Sequence, residues 1–250
     1  MQDRYAGDVG DYGKIGLLRA IRETGLSIGV NWYKTEPTQL EYRFDGTFKQ
    51  DDGKYHVPPT LAVCDPELAK VLLNISEKET RSIGDIQNAD LIPDAVYYAE
   101  NVSVKNRAEW HNSALIKIAN ADVVFLDPDN GLLVKSVGKK SKQSVKYAFY
   151  EEVADYVSRG QSVIVYNHRC RKNAKDYFGE ILIKLRESDV LCGKEIRAIT
   201  FPRYSVRDYF IICANNDHCL KIEKALNNLI ESLWGESGMC RLNSLDFIDR

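Results

Sequence analysis

The stretch "ADVVFLDPDNGLLV", Ala121 to Val134, decides how this chain is read. Its first half, with strand Asp122–Leu126, is a short apolar run, too short for a helix of ordinary length. The next five positions are Asp127, Pro128, Asp129, Asn130 and Gly131. An apolar run that stops abruptly at turn residues predicts a strand covered on both faces, the kind found in parallel sheets. Turn chemistry explains Pro128, which fixes its own φ, and Asn130-Gly131, a pair suited to positive φ. It leaves Asp127 and Asp129 unexplained. A carboxylate at the end of a buried strand costs several kcal/mol unless it is paired, hydrated or used. In open α/β sheets, ligands bind beyond the carboxyl ends of the strands. Asp127 is therefore the first candidate functional residue.

Working outward, the neighbouring segments alternate in kind. Asn106–Ala119 carries Trp110, Ala114, Leu115 and Ile118 on one helical face, and Lys146–Arg159 does the same with Phe149, Val153 and Tyr156. Gly160 ends that second helix, and "SVIVYN" follows as a fully apolar strand. Upstream, helix Lys14–Thr24 stops at Gly25, and "SIGVNWY" alternates as a strand. Asp65-Pro66 opens a short helix, and "AVYYAENV" is a further short strand. Downstream, helix Ala174–Arg186 precedes "EIRAITF" and "DYFIICA", which "PRYSVR" joins into an antiparallel hairpin. A last helix spans His218–Trp234 and carries Leu220, Ile222, Leu226, Ile230 and Leu233. Helices alternating with strands predict a three-layer α/β fold with a largely parallel sheet. Residues 1–250 form a single domain, with a polar insertion near 35–60.

Composition narrows the class. At 250 residues, 44% hydrophobic and 28% charged, the chain has the make-up of a soluble globular protein. It has no membrane-length apolar run, and "MQDRYAGDVGDYGK" lacks the pattern of a signal peptide, so a cytoplasmic location is expected. Its six cysteines show no C-x-x-C pair and read as reduced, mostly core thiols. A net charge of −2 excludes blanket basicity but allows a local patch. "KSVGKKSKQSVK" is the candidate, with Lys139, Lys140 and Lys142 available to substrate phosphates, though charge runs of this kind are commonly solvated loops.

Two further segments could carry chemistry. "NHRCR" follows a predicted strand and supplies His168 and Arg169, either as acid–base and phosphate contacts or as a polar cap over the sheet. "YAGDVGDYGKIG" sets Gly7, Gly10, Gly13 and Gly16 at every third position, with Asp8, Asp11 and Lys14 between, and leads into a helix. Small residues there expose N–H groups to an anionic ligand, although turn glycines are common and no P-loop pattern is present.

Taken together, two motifs resemble the large-subunit rRNA adenine-N6 methyltransferase family. Ala6, Gly7, Asp11 and Lys14 match the A-G-x-x-x-D-x-x-K spacing of that family's opening, and Asp127-Pro128 match the first half of its D-P-P-Y. The likeness covers most of the chain as an order of elements, but as sequence only these two motifs. The chain is also similar to a bacterial and phage protein group that shares "GDVGDYGK", "FLDPDNG" and a "YNHR"-type strand end. The resemblance implies a Rossmann-like methyltransferase-type sheet, mostly parallel with a terminal antiparallel hairpin, and S-adenosylmethionine as cofactor. Gly7, Asp8, Gly10, Asp11 and Lys14 would then contact the cofactor, and Asp127 would orient the amino group of a nucleobase. Two departures stand out. Asp129 and Asn130 replace the family's proline and aromatic, leaving Tyr166 or Tyr12 as substitute stackers, and "VNWYKTEP" lacks the glycines of a cofactor loop.

Three functions follow. The first is an S-adenosylmethionine-dependent methyltransferase acting on nucleic acid, with Asp127, Pro128, Asp129, Asn130 and His168 at the reacting centre and Lys139, Lys140, Lys142 and Arg169 on phosphates. The second is a nuclease or phosphoesterase in which Asp127 and Asp129 hold a divalent metal such as Mg, with His168 as acid–base. The third is a catalytically silent member of the fold that binds a nucleotide or a partner.

Overall fold

The computed structural model describes residues 1–36 and 56–245. Three short strands, β1 (Ile28–Asn31), β2 (Val96–Tyr98) and β3 (Val123–Leu126), pair in parallel with β1 in the middle. After β3 the chain makes a small side sheet of β4 (Gly131–Leu132) and β5 (Tyr147–Ala148). It then returns as β6 (Ser162–His168), parallel to β3. The terminal hairpin is β7 (Ile196–Phe201) and β8 (Arg207–Ile212), and the edge strand is β9 (Arg241–Asn243). The central sheet has the order β2-β1-β3-β6-β8-β7-β9, with β8 antiparallel to β6. This is the three-layer α/β sheet, parallel in one half and closed by an antiparallel hairpin, that the periodicity predicts.

Alternation along each strand sorts the core into two layers. Ile28, Val30, Trp32, Val123, Phe125, Ile164 and Ile211 face one side. There they meet α1 (Val9–Arg22), α3 (Pro66–Ser76), α4 (Ile83–Asn88) and α8 (Asn216–Glu231). The short helices α2 (Pro59–Ala62) and α9 (Leu233–Glu236) close that layer. Val124, Leu126, Val163, Val165, Phe210 and Ile212 face the other side, against α5 (Arg107–Lys117), α6 (Tyr150–Ser158) and α7 (Ala174–Arg186). Trp32, Trp110 and Trp234 are buried core residues.

Element boundaries moved where capping or pairing outweighs periodicity. Helix α1 begins at Val9, ahead of the predicted Lys14, because the Asp8 carboxylate accepts from the Gly10 and Asp11 N–H groups. The predicted helix 146–159 is cut to α6. Its first residues are used as a 3-10 turn (Lys142–Lys146) and as β5, which pairs with the backbone after the acidic turn. The last helix breaks at Ser232, and Leu220 and Leu233 of its predicted stripe are exposed. The polar insertion expected near 35–60 lies mostly outside the described residues. All six cysteines are free thiols. Among the described residues no helix is long and apolar enough to cross a membrane.

Candidate functional site

After β1 the chain adds β2 on one flank and, later, β3 on the other. The crevice between the carboxyl ends of β1 and β3 is therefore a topological switch point, where open α/β sheets bind ligands. Asp127 sits in it: its N–H donates to Asn31 O at 3.0 Å, directly extending the β1–β3 ladder. Just beyond β1, Tyr33 is held at φ 45°, a left-handed turn that a glycine makes more easily, and its N–H donates to Asn31 Oδ1.

Helix α1 runs beneath this crevice and delivers Lys14. The Lys14 Nζ donates to Asp127 Oδ2 at 2.5 Å and to Asp11 Oδ1 at 2.8 Å, with all three side chains buried. Burial works against the Lys14 ammonium, but Asp11 and Asp127 outweigh it and hold Lys14 protonated. Burial pushes the Asp127 carboxyl up against the pull of Lys14. Asp8, also buried, is raised from 3.8 to about 6 by burial, against the nearby Arg207 guanidinium at 3.8 Å.

Asp129 is engaged separately. The Met1 amino nitrogen lies 2.8 Å from Asp129 Oδ1, Gln2 Nε2 donates to Asp129 Oδ2, and Lys146 approaches to 3.8 Å. Burial raises the Asp129 carboxyl, yet the amine, Lys146 and Gln2 outweigh it and hold it below the usual range. Four carboxylates (8, 11, 127 and 129) thus meet four cations: the Met1 amine, Lys14, Lys146 and Arg207. The Met1 nitrogen also donates to the carbonyls of Trp32, Tyr33 and Asp127 at 3.2, 3.0 and 3.0 Å. Three convergent carbonyls and a carboxylate form an ammonium-binding cage at the switch point.

The two sequence motifs therefore meet in space: Asp8, Asp11 and Lys14 from one, Asp127 and Asp129 from the other. The glycines between them do different work from the one expected. Gly7, at φ 86°, lies against the backbone of α3, and its N–H donates to Asp11 Oδ2. Gly13 packs on Phe201 and Gly16 on the Trp234 ring. The free amides at the start of α1 are thus already taken by Asp8 and Asp11, so the glycines serve packing more than an anion. Pro128 and Asn130 shape the turn. Asn130 exchanges backbone bonds with Lys146 and His168, and Gly131, at φ 117°, leaves room for the Asn167 carboxamide.

Of the other expected residues, Tyr166 interacts electrostatically with Asp127, Lys14 and Asp8, and the rest are engaged elsewhere or exposed. His168 is exposed at the end of β6 opposite Arg207, and desolvation together with Arg207 lowers its imidazole below the ordinary value. Arg169 is committed to Asp208 through two bonds, and Lys139 pairs with Glu151. Lys140 and Lys142 are exposed in the loop after β4. Tyr12 is fully buried with its hydroxyl on Leu61 O, and Tyr166 is half-buried in an edge-to-face contact with Tyr209. Among the described residues no three His, Cys, Asp or Glu side chains are grouped to hold a metal. Asp127 and Asp129 are neutralised by amines instead.

Sequence reasoning missed Arg207, Tyr209 and Trp32. Arg207 reaches the site because β8 starts where β6 ends, a juxtaposition that only the antiparallel pairing creates. Lys14 lies 5.1 Å from the Trp32 ring, and Tyr209 interacts electrostatically with both Lys14 and Asp127. The Tyr209 hydroxyl and the Trp32 indole N–H are buried without a hydrogen-bond partner among the described residues. Native proteins rarely leave such groups unpaired, and a bound ligand or water is a standard explanation. No protein-family model and no curated protein matches the chain.

Proposed function

We infer that this crevice binds S-adenosylmethionine and that the chain methylates an amino group of a nucleobase in nucleic acid. The observation that carries the reading is the meeting, at the β1/β3 switch point, of the Lys14–Asp127 pair with an ammonium cage and two orphaned buried polar groups.

The cage supports the amino-acid end of this cofactor. With the Met1 tip withdrawn, the Trp32, Tyr33 and Asp127 carbonyls and the Asp129 carboxylate would hold the cofactor's ammonium. The left-handed turn at Tyr33 supplies the sharp exit from β1 that the missing glycines would otherwise give. When bound, the cofactor supplies an electrophilic methyl group. The chain's own residues do the rest. Lys14 fixes the Asp127 side chain through Oδ2, so that Oδ1 is the oxygen to accept an N–H of the target amine. Burial makes Asp127 a better base than an exposed aspartate, and it is the group placed to take the proton that the amine loses. Lys140 and Lys142, on the loop that follows the acidic turn, would meet phosphates.

Isothermal titration calorimetry with S-adenosylmethionine and its demethylated product tests the reading. Binding to the wild type is expected, with Lys14→Ala weakening it at least tenfold by releasing Asp127. Absence of binding at millimolar cofactor would overturn it.

A further inference from the structure

Tyr33 supplies one carbonyl of the ammonium cage, and it does so from a strained backbone. Four non-glycine residues among those described have positive φ: Tyr33, Asp90, Asp94 and Tyr204. The other three are exposed, whereas Tyr33 is fully buried. A bulky side chain keeps this conformation only where its surroundings over-determine it, and such outliers cluster at ligand sites. The conformation has a direct effect on the cage. In an extended strand successive carbonyls alternate in direction. The left-handed turn instead brings two successive carbonyls, those of Trp32 and Tyr33, onto one nitrogen at 3.2 and 3.0 Å. A glycine would make this turn without strain, but nothing would then hold it.

The hold comes from the layer of helices α5 and α6, across the sheet from Lys14. The Tyr33 hydroxyl donates to Glu152 Oε2 at 2.9 Å, and the Phe149 N–H donates to the same oxygen. Arg107 grips that carboxylate with two prongs, Nε to Oε1 at 2.6 Å and Nη2 to Oε2 at 2.9 Å. Arg107 is itself fixed by Tyr147 O at 2.7 Å and by the rings of Phe149, Trp110 and Tyr33, at 4.2, 5.1 and 5.4 Å. On the other side of the turn, Asn31 Oδ1 accepts the Tyr33 N–H and Asn31 Nδ2 donates to the Tyr156 hydroxyl. A buried ion pair is a poor device for stability, because a well-packed apolar pair commonly does as well. Its rigid fork does fix geometry, and here the geometry it fixes is that of Tyr33.

We propose that Glu152, set by Arg107, is a positioning residue of the ligand site: it locks the Tyr33 turn and so aims the Trp32 and Tyr33 carbonyls at the ammonium of a bound amino-acid moiety. The assignment deepens the cofactor reading and rests on it. Two variants test it. Tyr33→Phe keeps the ring against Trp110 and removes only the hydroxyl, and Glu152→Gln keeps the shape and removes the charge. Calorimetry uses S-adenosylmethionine and 5′-methylthioadenosine, which has the nucleoside but no amino-acid end. Tyr33→Phe is expected to weaken S-adenosylmethionine roughly 3- to 10-fold, and Glu152→Gln at least as much, with 5′-methylthioadenosine within about twofold of wild type. A merely structural defect would weaken both ligands alike. Amide hydrogen exchange on the unliganded protein gives a second readout: residues 31–36 exchange faster in both variants, while β6 exchanges as in wild type. Equal loss of both ligands, unchanged S-adenosylmethionine affinity, or unchanged exchange at 31–36 overturns the proposal. Faster exchange at 31–36 with no binding of S-adenosylmethionine to the wild type would leave the lock on the turn standing and remove the cofactor reading.

Discussion

At the scale of single residues, the acidic turn divides as its chemistry suggests. Pro128, Asn130 and Gly131 make the turn, and Asp127 and Asp129 are each held by a buried amine. The pairing of Asp127 with Lys14 was not legible as a contact, because 113 residues separate them and only the packing of α1 under the sheet joins them. Asp8 carries the clearest pH signature. Its carboxyl is raised to about 6 in the folded chain from an ordinary 3.8, mainly by burial. Between those values the folded state binds more protons than the unfolded state, so stability from this group is full below about 3.8 and falls as pH rises towards 6. Asp8→Asn keeps a good helix cap and removes this titration. The variant is expected to be more stable than wild type at neutral pH, by up to about 3 kcal/mol, with the advantage vanishing near pH 4. Urea unfolding at the two pH values measures it; parallel wild-type and variant profiles would disprove it. A carboxyl kept near neutrality against stability is the kind of compromise found at functional sites.

At the scale of elements, α1 shows why a glycine pattern is ambiguous. Glycine at every third position opens either backbone N–H groups to a ligand or a flat face to neighbours, and the sequence favours neither. The structure uses Gly13 and Gly16 for close approach to Phe201 and Trp234. A Cβ on Gly16 would lie 2.4 Å from the Trp234 ring, with no flexible chain to yield. Gly16→Ala should therefore lower stability by about 1–3 kcal/mol through overpacking, despite a helix-propensity gain of about 1 kcal/mol. Gly179, inside α7, has open space around its would-be Cβ. There Gly179→Ala should raise stability by about 0.5–1 kcal/mol. Denaturant midpoints of the two variants should move in opposite directions, and a shared direction would refute the packing account. Element boundaries were predicted best where apolar periodicity is long, as in α7, and worst between 131 and 150, where β4 and β5 pair through backbone alone.

At the scale of the molecule, the sheet brings distant segments to one rim. The ends of β1, β3 and β6 and the β7–β8 turn line up along it, gathering residues from Asp8 to Arg241. With a net charge of −2, the nucleic-acid binding of the proposed function would have to draw on this rim and the lysine loop rather than on the whole surface. If the proposed function holds, the salt dependence of oligonucleotide binding should be shallow, with a log–log slope of about −1 to −2, as expected for single-strand phosphate contacts from Lys140 and Lys142. Anisotropy titrations across a salt series measure it, and a slope steeper than about −4 would indicate a broad electrostatic surface instead.

What the sequence determined by itself is the alternation of helix and strand, the terminal hairpin and the placement of Asp127 at a strand end. These are set by local periodicity and turn chemistry, which act over a few residues. Only the tertiary structure decided which groups meet Asp127, that the α1 glycines pack rather than cradle, and that Arg207 reaches the same crevice. Those outcomes depend on strand order and on the pairing of β6 with β8, and no short-range pattern encodes them. Burial then gives the assembled charges their strength, because carboxylates that water would screen at the surface interact strongly once the sheet encloses them.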